Sequence, residues 1–175
     1  MQLGHVGIYV SDFDTMLSFY QSAFGFVVTD SVRSEQRALA FLTRDASSHH
    51  QFVLFTGRPE GVVSSHLINQ ISFKLDKLSE LQKTYFRLIE AGAQEIDPIT
   101  HGTAWSVYFR DPEGNRLEVY VETPWYITQP HRTPIDLTKP IDQIYAETEA
   151  LCRMNPSFQP MRDWRLQAAA AIAAL

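Results

Sequence analysis

The sequence predicts an α+β protein of two βαβββ modules forming a shared cleft, followed by a C-terminal helical tail. Three observations predict it. The strand text Leu3-Gly4-His5-Val6-Gly7-Ile8-Tyr9-Val10 has a counterpart in Ile68-Asn69-Gln70-Ile71-Ser72-Phe73-Lys74-Leu75, with His5 and Gln70 65 residues apart at matching places. Each strand leads into an amphipathic stretch that closes on a glycine, Gly25 or Gly92. Each copy then nears its end through the same dipeptide, Arg44-Asp45 or Arg110-Asp111, 66 residues apart. A duplication of this size implies two similar modules about a pseudo-twofold axis, with the cleft between them as the natural place for chemistry.

Each element follows from its pattern. In residues 3–10, Val6, Ile8 and Val10 share one β-branched face suited to packing on a helix, and Leu3, His5, Gly7 and Tyr9 share the other. From Asp12 to Phe24, a stripe of Phe13, Met16, Leu17, Tyr20 and Phe24 predicts a helix that Gly25 stops. Strands are expected over Phe26–Val32, Ala38–Thr43 and Gln51–Phe55, and a linker over Gly57–Ser65.

The second copy repeats this order. A strand over Leu67–Leu75 turns Ile71, Phe73 and Leu75 to a helix and Gln70, Ser72 and Lys74 away from it. A helix over Lys77–Ala91 carries Leu78, Leu81, Tyr85, Leu88 and Ile89. Strands follow near Gln94–Ile96, Trp105–Phe109 and Arg116–Val121, the last two joined by the turn Asp111-Pro112-Glu113-Gly114-Asn115. The modules are thus 1–60 and 61–123. In 124–175, Pro124, Pro130, Pro134 and Pro140 space out an extended strap that cannot be a central strand. Helices are expected from Pro140 to about Arg153 and again in an alanine-rich stretch with Trp164 and Leu166 near its start, packed outside the modules, serving as a dimer arm, or lying over the cleft.

Composition narrows the class. The 175 residues are 45% hydrophobic and 12% aromatic, enough for a sizeable core. A net charge of −5 gives no footprint for nucleic acid or an anionic membrane. The longest apolar run, Ala168–Leu175, is too short to span a bilayer. The opening Met1-Gln2-Leu3-Gly4 has no secretory n-region, and a lone Cys152 allows no intrachain disulfide, so a cytoplasmic protein is expected.

Several texts together resemble the vicinal oxygen chelate superfamily of glyoxalases, bleomycin resistance proteins and extradiol dioxygenases. They are Gly4-His5-Val6, Val10-Ser11-Asp12, Phe19-Tyr20, Phe24-Gly25-Phe26, Tyr108 through Asn115, and Leu117-Glu118. Within it, His49-His50 before an apolar strand and Tyr108 in Ser106-Val107-Tyr108-Phe109 are similar to type I extradiol (catechol and biphenyl-diol) dioxygenases. The resemblance implies an Fe(II) site, an acid/base histidine at His50 and an oxyanion donor at Tyr108. Those enzymes hold iron with two histidines and a glutamate, and Gln70 stands where the second histidine is usual.

The residues themselves carry this reading unevenly. Parity aims His5 into the cleft, where imidazole is a common transition-metal ligand; the alternative is a histidine satisfied by local hydrogen bonds. Glu118 shares parity with Arg116 and Tyr120, and a carboxylate so placed needs a metal or a cation, Arg116 or Arg110. Gln70 matches His5 in parity and offers a neutral amide oxygen. His66 lies roughly 13 Å back along the strand and is set aside. Aligning the Arg-Asp dipeptides puts Phe52 opposite Glu118, so the fourth ligand of a glyoxalase-type site is missing. His50, matched in parity to Phe52, is expected to face the cleft and His49 to face away. His101, in a loop, is a candidate partner for substrate or oxygen.

The expected function is metal-dependent extradiol-type dioxygenation of a catechol-like aromatic diol by a homodimer or larger homo-oligomer. The metal, held by His5, Gln70 and Glu118, is expected to be Fe(II), with Mn, Zn, Ni and Co as alternatives, and His50, Tyr108 and His101 act on the substrate with O₂. The alternatives are a glyoxalase-type isomerase, epimerase or lyase, and a non-catalytic binding protein of the same fold.

Overall fold

A computed structural model describes residues 4–35, 37–59 and 68–173. The first module comprises β1 (Val6–Val10), α1 (Phe13–Phe24), β2 (Val27–Arg33), β3 (Ala38–Thr43) and β4 (Phe52–Thr56). Its sheet runs β1-β4-β3-β2, with β1 and β4 parallel and the other pairs antiparallel. The Asp12 carboxylate caps α1 by accepting from the Thr15 amide at 3.0 Å. Gly25, at φ 71°, ends it, donating its N–H to the Gln21 carbonyl; only glycine takes that backbone without strain.

The buried stripe is Phe13, Met16, Phe19, Tyr20, Ala23 and Phe24, with Leu17 half-buried at its edge. It meets Phe52, whose ring lies 4.7 Å from Tyr20 and 6.1 Å from Phe26. Burying such a side chain contributes roughly 1.5–3 kcal/mol. His5, Gly7 and Tyr9 are exposed on the sheet's other face.

The second module repeats the topology with β5 (Ile71–Lys74), α2 (Leu78–Glu90), β6 (Gln94–Thr100), β7 (Ala104–Arg110) and β8 (Arg116–Glu122). Its sheet runs β5-β8-β7-β6, with β5 and β8 again parallel. The expected strand over Leu67–Leu75 is therefore shorter; Leu67, His66 and most of the expected linker lie outside the described residues. On α2, Leu78, Leu81, Thr84 and Leu88 are buried, whereas Ile89 is 50% exposed and leaves the expected stripe.

Register corrects one expectation. Val6 pairs with Phe52, and Ile71 pairs with Leu117, so the two modules are offset by 65 residues in both strands. The counterpart of Glu118 is therefore Val53, and Phe52 faces α1. The Arg-Asp dipeptides lie at the ends of β3 and β7, not in the β1–β4 or β5–β8 pairs, so their spacing of 66 does not report the register of those pairs.

The tail adds β9 (Trp125–Tyr126), β10 (Thr133–Pro134), α3 (Ile141–Arg153), β11 (Gln159–Pro160) and α4 (Met161–Ala173). β10 extends the second sheet beside β6, so its proline sits on an edge strand. Helix α3 does more than strap the outside. Its Ile144, Thr148 and Cys152 are buried, and the Trp105 indole donates to Thr148 at 2.8 Å. Trp105, fully buried, also packs on Tyr145 and Trp125. Gln82 ties the strap down through the Leu137 and Lys139 carbonyls, both at 2.8 Å. No described helix is long and apolar enough to cross a membrane.

By contacts the chain forms two compact units. One is Met1–Asn69 with Phe86–Gln94 and Arg110–Arg116; the other is Gln70–Tyr85 with Glu95–Phe109 and Leu117–Leu175. The first unit thus includes the turn between β7 and β8. There the buried Asp111 carboxylate accepts from the Glu113 and Asn115 amides, the Asn115 side chain, and the Tyr20 hydroxyl at 3.1 Å. Glu113 accepts from the Ser11 and Asp12 amides at 2.6 and 2.7 Å and pairs with Arg58 at 2.9 Å.

Burial pushes the Asp111 carboxyl up from its ordinary range, while its donors, Tyr20 among them, pull the other way. A folded pKa above the unfolded one means that this stabilising contribution is present at low pH and lost as pH rises through the folded value. Tyr20→Phe deletes a donor that favours the charged form. Its cost in urea melts is expected to be about 2 kcal/mol at neutral pH, shrinking as acid protonates Asp111. An equal cost at both pH values would show that the hydroxyl does not serve the carboxylate.

Candidate functional site

In the first unit, β1 delivers His5 to the open face of its sheet, where the His50 ring packs 4.4 Å from it. His50 lies in the turn entering β4, half-buried, 5.0 Å from the Phe41 ring. Burial, then the neighbouring His5 and His49, hold its pKa below the ordinary imidazole range, which favours a neutral ring able to accept a proton.

His49 departs from expectation. It does not turn away: its Nδ1 lies 2.9 Å from His50 Nδ1, and its Nε2 lies 2.7 Å from an Asp30 carboxylate oxygen. Residues 49–51 precede the regular strand, so period-2 alternation does not extend to them. The open-face position of His50 likewise owes nothing to parity with Phe52, which points into the core.

In the second unit, parallel pairing of β5 with β8 sets Ser72 opposite Glu118. The Ser72 hydroxyl donates to Glu118 Oε2 at 2.5 Å and the Gln70 amide nitrogen donates to the same oxygen at 3.0 Å. Glu118 is 7% exposed, yet among the described residues no cation pairs with it. The two candidate arginines bind elsewhere, Arg110 to the Gly114 carbonyl and Arg116 to the Asn69 side chain. A buried carboxylate with hydrogen-bond donors but no cation suits a metal ligand. With its nitrogen turned to Glu118, Gln70 keeps Oε1 as the atom able to ligate. No described group of three His, Cys, Asp or Glu forms a metal cluster; the set expected from sequence has an amide as its third member.

His101 and Tyr108 also meet in the second unit. His101 Nδ1 lies 2.7 Å from the His131 carbonyl, an acceptor, so that nitrogen carries the proton. In the neutral ring Nε2 then accepts from the Tyr108 hydroxyl, 3.0 Å away. The loop is pinned around this contact. The His101 carbonyl accepts from Gln129, and the Gly102 carbonyl accepts from Thr123. Gly102 has φ 75°, and a Cβ there would come within 2.6 Å of Ile127 Cγ1.

The sequence profile of the Glyoxalase/Bleomycin resistance protein/Dioxygenase superfamily matches residues 2–119. The chain belongs to that superfamily. Biphenyl-2,3-diol 1,2-dioxygenase 3 of Rhodococcus globerulus is 27% identical over 164 residues, 91% of this chain and 78% of that protein. That coverage necessarily takes in most of the tail. Biphenyl-2,3-diol 1,2-dioxygenase 2 of the same organism is 28% identical, over 69% of this chain and 63% of its own length.

Solved vicinal oxygen chelate structures share the fold. A glyoxylase/bleomycin resistance protein/dioxygenase domain from Frankia sp. EAN1pec superposes with TM-score 0.61 at 20% identity, over 70% of this chain and 98% of that one. The fosfomycin resistance protein FosX from Listeria monocytogenes, solved with Mn(II) and sulfate, gives 0.55 at 20% identity, over 70% and 93%.

The six residues singled out from sequence thus fall into three contacts: His5 with His50, Gln70 with Glu118, and His101 with Tyr108. Sequence reasoning missed Asp30 and Ser72 as their supports. It also missed Ser106, whose fully buried hydroxyl has no hydrogen-bond partner among the described residues and which shares strand parity with Tyr108. Ser72 was legible as the residue opposite Glu118 once β5 and β8 are paired in register.

Gly102→Ala combines a left-handed backbone with a collision against a buried side chain. It is expected to cost about 2–4 kcal/mol in denaturant melts. It should also weaken amide-exchange protection at Ile127 and Cys152, which a purely local backbone strain would leave unchanged.

Proposed function

We propose that this protein is an extradiol-type dioxygenase of catechol-like aromatic diols, with a divalent metal, Fe(II), held by His5, Gln70 and Glu118. The observation that carries the reading is the His50 ring, placed against His5 in surroundings that lower its pKa through burial and the neighbouring imidazoles. A base beside a metal ligand is what deprotonation of a chelating diol requires. Similarity to two biphenyl-diol dioxygenases supports the same choice of chemistry.

The roles follow from the groups present. His50 takes a hydroxyl proton from the diol. Tyr108 steadies a developing oxyanion by turning its single hydroxyl proton from His101 Nε2 to the substrate oxygen. Glu118 supplies the anionic ligand and is held in place by Ser72. Gln70 supplies a neutral amide oxygen, a weaker donor than imidazole. Bound Fe(II) would supply Lewis acidity toward vicinal oxygens and electrons for dioxygen. Val53 at the position equivalent to Glu118 disfavours a four-ligand glyoxalase-type reading, because its side chain cannot ligate.

Protein loaded anaerobically with Fe(II) is expected to consume oxygen and form a coloured ring-cleavage product with catechol or biphenyl-2,3-diol. Elemental analysis should find metal in the wild type and none in His5→Ala or Glu118→Ala. Glu118→Gln is expected to melt at or above the wild type when metal-free, since it removes an unpaired buried charge, and to lose the upward shift that metal gives the wild type. Gln70→His should retain Fe(II) more strongly and keep or raise oxygen uptake. A flat oxygen trace for both wild type and Gln70→His would overturn the dioxygenase reading.

A further inference from the structure

We propose that His49 and Asp30 are positioning residues that fix the orientation and tautomer of His50. The significance for turnover rests on the reading of His50 as the base; the effect on His50 itself does not. The chain Asp30–His49–His50 is continuous, with contacts of 2.7 and 2.9 Å. The Asp30 carboxylate only accepts, so His49 Nε2 carries a proton. In the neutral His49 ring Nδ1 is then an acceptor, and the proton in the 2.9 Å contact belongs to His50 Nδ1. This leaves His50 Nε2 bare, the state a base needs.

A β-bulge is independent evidence that this arrangement is built in. Strands β2 and β3 pair Val28 with Leu42 and then Asp30 with Phe41, so Thr29 is an inserted residue. Without the insertion Asp30 would fall opposite Ala40, on the face packed toward α1. With it, the carboxylate shares the open face with Phe41, whose ring contacts both histidines at 5.6 and 5.0 Å. Bulges commonly re-aim a side chain in this way. The Asp30–His49 pair is largely exposed, at 70% and 55%, and so contributes little to stability. Orientation is what such a pair can supply.

The test is ¹⁵N NMR of histidine-labelled protein without metal or substrate, the His50 signals being assigned by their loss in His50→Asn. The wild type is expected to hold His50 as the Nδ1–H tautomer. His49→Phe, which keeps the packing on Phe41, and Asp30→Ala should both relax it toward the Nε2–H form that an unconstrained histidine prefers in water. Asp30→Asn retains an acceptor oxygen and should restore the wild-type tautomer. Melting temperatures should not change. In Fe(II)-loaded protein, His49→Phe should lower kcat for diol cleavage about 10- to 100-fold with KM unchanged.

An unaltered His50 tautomer in both His49→Phe and Asp30→Ala would overturn the proposal, whatever the activity. A shifted tautomer in a protein whose wild type consumes no oxygen would support the positioning role while removing the dioxygenase reading.

Discussion

The structure depends on how the Asp111–Asn115 turn handles a buried carboxylate. Asp111 is fully inaccessible, a costly place for a charge, and it is accommodated by two backbone amides, an amide side chain and the Tyr20 hydroxyl. The next carboxylate in the turn, Glu113, reaches the Ser11 and Asp12 amides just after β1 and the nearly buried Arg58 guanidinium just after β4. A turn encoded in the second repeat therefore fixes three features of the first: the exit of β1, the start of α1, and the Tyr20 ring around which the first core is packed. Removing one partner from such a network leaves the others desolvated and unpaired, so its parts stand or fall together.

Much of this could be read from residues because it is local. The stops at Gly25 and Gly92, the β-branched face of β1 and the inward carboxylate of β8 follow from backbone preference and period-2 alternation. What could not be read depends on partners distant in sequence. The register between β4 and β8 is set by pairing with β1 and β5, so a dipeptide at the ends of β3 and β7 misplaced it by one residue and exchanged Phe52 for Val53. His49 lies beyond the end of the alternating strand, where parity has no meaning. Helix α3 enters the core through Trp105 and Thr148, 43 residues apart, and no local pattern announces that contact.

The two modules have diverged in complementary ways at equivalent positions. Register equates His5 with Gln70, Gly7 with Ser72, and Val53 with Glu118. The first module keeps the imidazole and has an isopropyl group where the carboxylate would be; the second keeps the carboxylate and has an amide where the imidazole would be. Gly7 has no side chain to offer, and the Phe55 ring lies 3.3 Å from where its Cβ would stand. Ser72 instead donates a short hydrogen bond to Glu118. Support for a buried anion is thus found only in the module that retains one.

This asymmetry bears on the chemistry through charge. Under the proposed set, two neutral ligands and one carboxylate would leave a bound divalent ion with a net charge of about +1. A second carboxylate at position 53 would have neutralised it. A residual positive charge favours an anionic bidentate ligand, such as a deprotonated diol, over a neutral one, and it makes a neighbouring protonated imidazole less favourable. Exchanging imidazole for the Gln70 amide leaves that charge unchanged and reduces donor strength, so it alters metal affinity and redox poise before it alters substrate preference. A neutral His50 beside His5 is consistent with this balance: the residue proposed to accept a proton lies where an added positive charge is disfavoured, and donating its Nδ1–H to His49 would leave Nε2 as the available nitrogen.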